Sequence, residues 1–141
     1  MKHVLRLLLL LLPFHSATAN NEAPCFEVKE VLKVVDGDPI DAFLHLEPFP
    51  VYYKVRVRME GINAWESRTR NLAEKKKGLA AKARLTELVA IPFYVCTKEQ
   101  GKFGRWIGTL TYENGQSINQ LLVDEGHAHT YDGGKRKEFE E

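Results

Sequence analysis

Between Phe26 and Glu60 apolar and polar residues alternate with a period of two, the spacing of strands that bury one face. Phe26 to Val35 is rich in β-branched residues and stops at Asp36-Gly37-Asp38-Pro39, which predicts a first strand closed by a turn. Ile40, Ala42, Leu44 and Leu46 then alternate with Asp41, Phe43, His45 and Glu47 until Pro48 and Pro50 break the run. A third strand follows, with Val51, Tyr53, Val55, Val57 and Met59 on one face and Tyr52, Lys54, Arg56, Arg58 and Glu60 on the other. Three consecutive strands predict a meander.

Beyond Gly61 the period lengthens. Ala81, Leu85, Leu88 and Val89 fall on one helical stripe, Asn71 with Glu74 three residues on is a capped start, and Pro92 ends the segment. The stretch from Arg68 to Lys77 is charged all round, so only the second half of this helix is expected on the core, with Gly78 allowing a close approach. Ile91 to Cys96 reads as a fourth strand and Trp106 to Tyr112 as a fifth, joined by a polar loop from Thr97 to Gly104. Ser117 with Gln120 has the form of a capping box, Ile118, Leu121 and Leu122 give an apolar face, and Gly126 sits at a C-terminal cap. The expected fold is therefore α+β, mainly β. It is a five-stranded barrel with a helix between strands three and four and a short C-terminal helix, the order of an OB-fold.

Composition narrows the class. At 141 residues, 44% hydrophobic and 28% charged, the chain suits one soluble domain whose core needs no metal or disulfide to fold. With 20 basic and 19 acidic side chains, any polyanion site must be local. The first residues change that count: Lys2 and Arg6 precede a leucine run from Leu7 to Leu12, and Ala17-Thr18-Ala19 has the form of a cleavage site. Residues 1–19 are therefore expected to be a signal peptide and 20–141 the working domain. The apolar run is too short for a membrane anchor. Cleavage leaves 18 basic against 19 acidic residues, and the protein is expected to be secreted or periplasmic, with no membrane attachment and monomeric. In an oxidising compartment Cys25 and Cys96 can pair, and the barrel order makes their strands neighbours, so a disulfide is expected between them.

Several segments can carry chemistry. Asp36-Gly37-Asp38 offers carboxylates to a hard divalent cation, although alone it is an ordinary turn. Arg58 to Glu66 ends a strand in a loop bearing an arginine, an amide and a carboxylate, and Lys102-Phe103-Gly104-Arg105 delivers a second arginine. A planar guanidinium donates two hydrogen bonds to two phosphate oxygens, yet by itself Arg58 reads as a solvated strand residue or a salt-bridge partner of Glu60. The basic run Arg68, Arg70, Lys75, Lys76, Lys77, Lys82 and Arg84 can steer a strand toward this region or simply face solvent. Tyr112, Tyr131 and Phe103 can stack on bases or pack at the rim, while His127 and His129 lack a third ligand and receive no role.

In order, Asp-Gly-Asp, Arg-x-x-Gly-Ile-Asn-Ala-x-Glu, Lys-Phe-Gly-Arg, and then Asn119 and Gly126 make the chain resemble the staphylococcal nuclease (thermonuclease) family from about Val31 to Tyr131. The resemblance implies a Ca²⁺-dependent endonuclease, a hydrolase that cuts DNA and RNA with little sequence preference and leaves 3′-phosphates. On it, Asp38, Asn63 and the backbone carbonyl of Ala64 fall on metal-ligating positions, with Asp36 beside them. Arg58 and Arg105 fall on the phosphate-clamping arginines and Glu66 on the glutamate that activates or orients water. Lys102 and Tyr131 are expected to contact substrate, with single strands preferred. Three positions depart from the pattern. Asn63 replaces an aspartate and removes a negative charge, which is expected to weaken Ca²⁺ binding. Trp65 stands where proline is usual, and Pro39 where threonine or serine is. These departures motivate the alternative of a catalytically attenuated OB module that binds single-stranded nucleic acid. The chain's end at Glu141 also leaves no room for the longer C-terminal helix of larger relatives, so grip on substrate is expected to differ.

Overall fold

The computed structural model describes residues 22–140. The expected signal peptide and its cleavage site lie outside these residues. Seven strands and two helices follow in the order β1 (Cys25–Val34), β2 (Pro39–His45), β3 (Tyr52–Met59), β4 (Ile62–Ala64), α1 (Leu72–Leu88), β5 (Tyr94–Gln100), β6 (Trp106–Thr111), α2 (Ile118–Asp124) and β7 (Ala128–Thr130). Strands β1-β2-β3-β6-β5 close into a barrel, β5 pairing back onto β1, while β4 and β7 form a separate two-stranded sheet. The meander β1-β2-β3 and the five-stranded barrel stand as expected. A helix separates the third and fourth barrel strands and a short one follows the fifth. All barrel pairs are antiparallel except β3 with β6, which closes the barrel in parallel.

Alternation explains which residues go inside. Ile40, Ala42 and Leu44 of β2 have no exposed surface, nor have Val57 of β3, Val95 of β5 and Leu110 of β6. Leu85, Leu88 and Val89 of the α1 stripe and Ile118 and Leu122 of α2 close the same core, each large aliphatic side chain contributing about 1.5–3 kcal/mol by leaving water. The expected inward face of β3 is corrected at its start. Val51 and Tyr53 are about half exposed, burial begins at Val55, and the Tyr53 ring instead lies against Trp106 with centroids 5.9 Å apart. The segment expected to be a loop, Thr97 to Gly104, continues β5 to Gln100 and ends in one 3₁₀ turn, Lys102–Gly104. The Thr97 hydroxyl caps this extension by donating to the Ile107 carbonyl at 2.6 Å.

Both helix starts are capped where the sequence placed them. Asn71 Oδ1 accepts from the Glu74 N–H at 3.0 Å, and Ser117 Oγ from the Gln120 N–H at 3.2 Å. Glu74 does not reach back to Asn71; its carboxylate faces the Glu66 N–H at 3.5 Å. The Cys25–Cys96 disulfide is formed, joining residues that face each other across β1 and β5. Among the described residues no helix is long and apolar enough to cross a membrane.

Candidate functional site

Register brings the first pieces together. Pro39 pairs with Arg58 across β2 and β3, and the Met59 N–H donates to the Asp38 carbonyl at 2.9 Å, so Asp38 lies beside the arginine two strands' ends away in sequence. The Arg58 guanidinium pairs with Asp38 Oδ2 and also donates to Asn63 Oδ1 at 3.0 Å and to the Ile62 carbonyl at 3.1 Å. Arg58 therefore pairs with Asp38 rather than with its sequence neighbour Glu60. Asp38 Oδ2 takes a further bond from the Ala64 N–H at 3.2 Å.

The short strand β4 holds Asn63 and Ala64 through its pairing with β7, Asn63 opposite His129 and Ala64 opposite Ala128. Two glycines set how close the surrounding backbone comes. A Cβ on Gly37 would stand 2.6 Å from the Ala64 Cβ and 2.8 Å from the Ala81 Cβ, so only glycine lets the Asp-Gly-Asp turn press onto β4 and α1. A Cβ on Gly78 would stand 2.5 Å from the Glu66 carbonyl carbon and the Ser67 nitrogen, so the helix lies directly on the backbone that carries Glu66. Asp36 ties the same segment down: its Oδ1 accepts from the Gly37 N–H at 3.0 Å and its Oδ2 faces the Ser67 N–H at 3.5 Å.

Asp38, Arg58, Asn63, Ala64, Glu66, Lys102, Arg105 and Tyr131 all line one open cleft of about 910 Å³. The sequence spreads these residues from position 38 to 131, and the barrel collects them. Arg105 stands free of acidic partners among the described residues, its Nε donating to the Lys102 carbonyl at 3.2 Å and its guanidinium 5.7 Å from the Phe103 ring centroid. The Tyr131 ring lies 5.8 Å from the Arg58 guanidinium and its hydroxyl donates to the Gly134 carbonyl at 2.8 Å.

Asp38 is the buried carboxylate of the group, 7% exposed. Burial pushes its pKa up, and this outweighs the opposing pull of Arg58, the Ala64 N–H and Arg136. Asp38 shares the cleft lining with Ala64 and with Asn63 and Glu66, whose side chains offer amide and carboxylate oxygens. That is the donor chemistry of a hard divalent cation, with less negative charge than an all-carboxylate set. The His45 ring with Glu27 and Glu47 makes a separate His-acid cluster among the described residues, removed from this cleft.

The sequence reading missed Arg136. Its guanidinium pairs with Glu66 Oε1 and donates to Asn63 Oδ1 at 3.0 Å, entering the cleft from the segment after β7. The only available hint was Gly133-Gly134, a pair able to turn the chain back after Tyr131. Trp65 also acquires a role, its ring lying tilted against His129 with centroids 4.9 Å apart and perpendicular to Phe139 with centroids 5.0 Å apart. His129, without an assigned role, has neither ring nitrogen hydrogen-bonded among the described residues, and desolvation holds its pKa below the ordinary value. Of the basic run, Arg84 is not available for steering: it is paired with Glu125 at 2.6 Å and Glu87 at 2.8 Å.

A closed five-stranded barrel that presents five arginines, among them Arg58 and Arg105, with a buried aspartate and a glutamate in one cleft has the makings of a protein that grips phosphodiesters. Comparison with known proteins names the family. The family described as "Staphylococcal nuclease homologue" matches residues 56–141, and the chain belongs to it. The chain is also 32% identical over 111 residues to a Shigella flexneri protein described as "Micrococcal nuclease". That match covers 72% of this chain and 57% of the relative, so the chain spans little more than half the relative's length.

Proposed function

We propose that the protein is a Ca²⁺-dependent phosphodiesterase that cuts DNA and RNA, single strands preferentially, with little sequence preference and leaves 3′-phosphates. The observation that carries the proposal is the Arg58 guanidinium, fixed by Asp38, Asn63 and the Ile62 carbonyl on the wall of a cleft that Arg105 and Glu66 also line. Phosphodiester hydrolysis gathers negative charge on the nonbridging oxygens, and preorganised guanidinium donors aimed at them lower the barrier. Arg58 is preorganised by its three acceptors, while Arg105 has no acidic partner among the described residues and can turn to a phosphate.

In this reading Arg58 and Arg105 hold two phosphate oxygens, and Glu66 accepts the proton of an attacking water. Breaking the bond to the 5′ oxygen leaves the phosphate on the 3′ end. Lys102 and Tyr131 sit on the cleft lining where flanking nucleotides would pass. Asp38, Asn63 and the Ala64 carbonyl would hold Ca²⁺, with Asp36 bracing the turn. When bound, the cation supplies positive charge to the phosphate and to the water. The disulfide supports the proposal of an exported, monomeric domain of residues 20–141 that follows a cleaved signal peptide.

Two features favour a second reading, an attenuated module that holds single-stranded nucleic acid: Asn63 is neutral, and Glu66 is engaged by Arg136. One experiment separates the two. A labelled oligodeoxynucleotide is incubated with protein and Ca²⁺, and the products are weighed by mass spectrometry. Fragments ending in 3′-phosphate and 5′-hydroxyl are expected. Intact oligonucleotide that still binds in chelator would assign the second reading.

A further inference from the structure

After β7 the chain does not leave the domain but crosses back over the cleft. Two side chains pin residues 132–140 there. Arg136 Nη1 pairs with Glu66 Oε1 while Nη2 donates to Asn63 Oδ1 at 3.0 Å. Three residues on, the Phe139 ring meets Trp65 in a T-shaped contact, the planes at 87°, and the Lys77 ammonium lies 5.2 Å from the Phe139 centroid. The segment is therefore a strap with an apolar anchor on Trp65 and a cationic tip among the site's oxygens.

Asn63 and Trp65, two of the positions where the chain departs from the family pattern, are the residues the strap touches. A neutral amide oxygen accepts from Arg58 and Arg136 together, both at 3.0 Å. A flat indole gives Phe139 a surface that a proline ring would not match in area. Both departures make sense as parts of one docking arrangement.

We propose that Arg136 is a tethered competitor of the divalent cation: strap and cation use the same oxygen of Asn63, so binding of one displaces the other. The inference rests on the Ca²⁺ site proposed above. An oxygen lone pair engaged by a guanidinium N–H is not open to a metal ion, and a fixed positive charge at that distance repels one. Glu66 Oε1, engaged by Arg136, is likewise not open to a hydrogen bond from water. The strapped form is thus at rest, and cation entry releases Glu66 and Arg136 together. Cation affinity is lowered by the fraction of molecules in which the strap is open.

Calorimetric titration of Ca²⁺ into the full chain tests this without reference to cleavage, on wild type, Arg136→Gln, Phe139→Ala and Asp38→Asn, each checked for folding by circular dichroism. A half-exposed ion pair with its anchor implies about a fivefold tightening of Ca²⁺ in Arg136→Gln and a smaller tightening in Phe139→Ala. Asp38→Asn should lose binding, and Ca²⁺ should speed amide exchange across residues 133–140 of wild type. If Asp38→Asn loses binding while Arg136→Gln matches or falls below wild type and the strap amides do not respond, the cation site stands and the competition is refuted. If neither wild type nor Arg136→Gln takes up Ca²⁺, the cation site itself is refuted and the competition with it.

Discussion

Asn119 holds the second helix to the barrel end that carries the site, and its removal should be costly. The residue is 5% exposed. Its Oδ1 accepts from the Leu110 N–H at 3.0 Å, and its Nδ2 donates to the Glu60 carbonyl at 2.9 Å and the Gly108 carbonyl at 3.3 Å. In Asn119→Leu the Gly108 carbonyl keeps the Glu60 N–H as a donor, but the Leu110 N–H and the Glu60 carbonyl lose the partner Asn119 gave them. A buried group left unsatisfied costs about 1–3 kcal/mol, so the two together should cost about 3 kcal/mol. For a domain of this size that is a fall in Tm of about 10–15 °C. Urea unfolding followed by tryptophan fluorescence, with the slope unchanged and the midpoint lowered, measures it directly. Asn119→Asp, which keeps the acceptor but replaces the two donors with a buried charge, should be destabilised at least as much at neutral pH. A loss under about 1 kcal/mol in Asn119→Leu would refute the reasoning, because it would mean that solvent or backbone movement satisfies those groups.

Reducing the Cys25–Cys96 disulfide opens a loop with a separation of 71 residues, and loop-closure entropy puts the loss at up to about 4 kcal/mol, read as a lower urea midpoint after reduction. Free thiols in unreduced exported protein would contradict the bond. In Gly78→Ala the intrinsic helix gain of about 1 kcal/mol should be outweighed by the Cβ forced against Glu66, so thermal melting should show net destabilisation; a more stable protein would refute the close approach. Asp41 accepts both Arg56 bonds, at 2.5 and 2.7 Å, and hydrogen bonding to Arg56 holds its pKa below the ordinary carboxylate value. Because the folded-state pKa is the lower one, this stability is present above about pH 4 and lost as the pH falls through the folded value. The gap of about 0.5–1 kcal/mol between wild type and Asp41→Asn at pH 7 should therefore close in acid urea melts, and a gap that widens would contradict the pairing.

Strong periodicity made most of the barrel legible. Ile40, Ala42 and Leu44 alternate because only one face of β2 is inward, and Ala81, Leu85, Leu88 and Val89 share a stripe because one side of α1 meets the core. Val51 and Tyr53 continued the β3 alternation in sequence, but period alone does not say where a strand leaves the core. β4 gave no signal: its three residues are all buried, so there is nothing to alternate, and its partner β7 lies over sixty residues on. The candidate site residues were nameable because aspartate, arginine, glutamate and a second arginine in that order resemble a family. Arg136 was not, since in Gly-Gly-Lys-Arg-Lys it looks like any solvated cation. Its place depends on Trp65 and Phe139 meeting, a contact between side chains 74 positions apart in sequence.

The account stands most directly on Arg58, and digestion of single-stranded DNA by purified protein, with Ca²⁺ or with chelator, beside Arg58→Ala measures it. Losing a guanidinium that stabilises charge in the transition state should cost about 2.7–4 kcal/mol, a fall of about 10²–10³ in the cleavage rate with much smaller change in substrate binding. Ca²⁺-dependent cleavage that collapses in Arg58→Ala is the predicted result. Cleavage that persists in the variant at the wild-type rate, or wild-type protein that leaves DNA intact with abundant Ca²⁺, would contradict it.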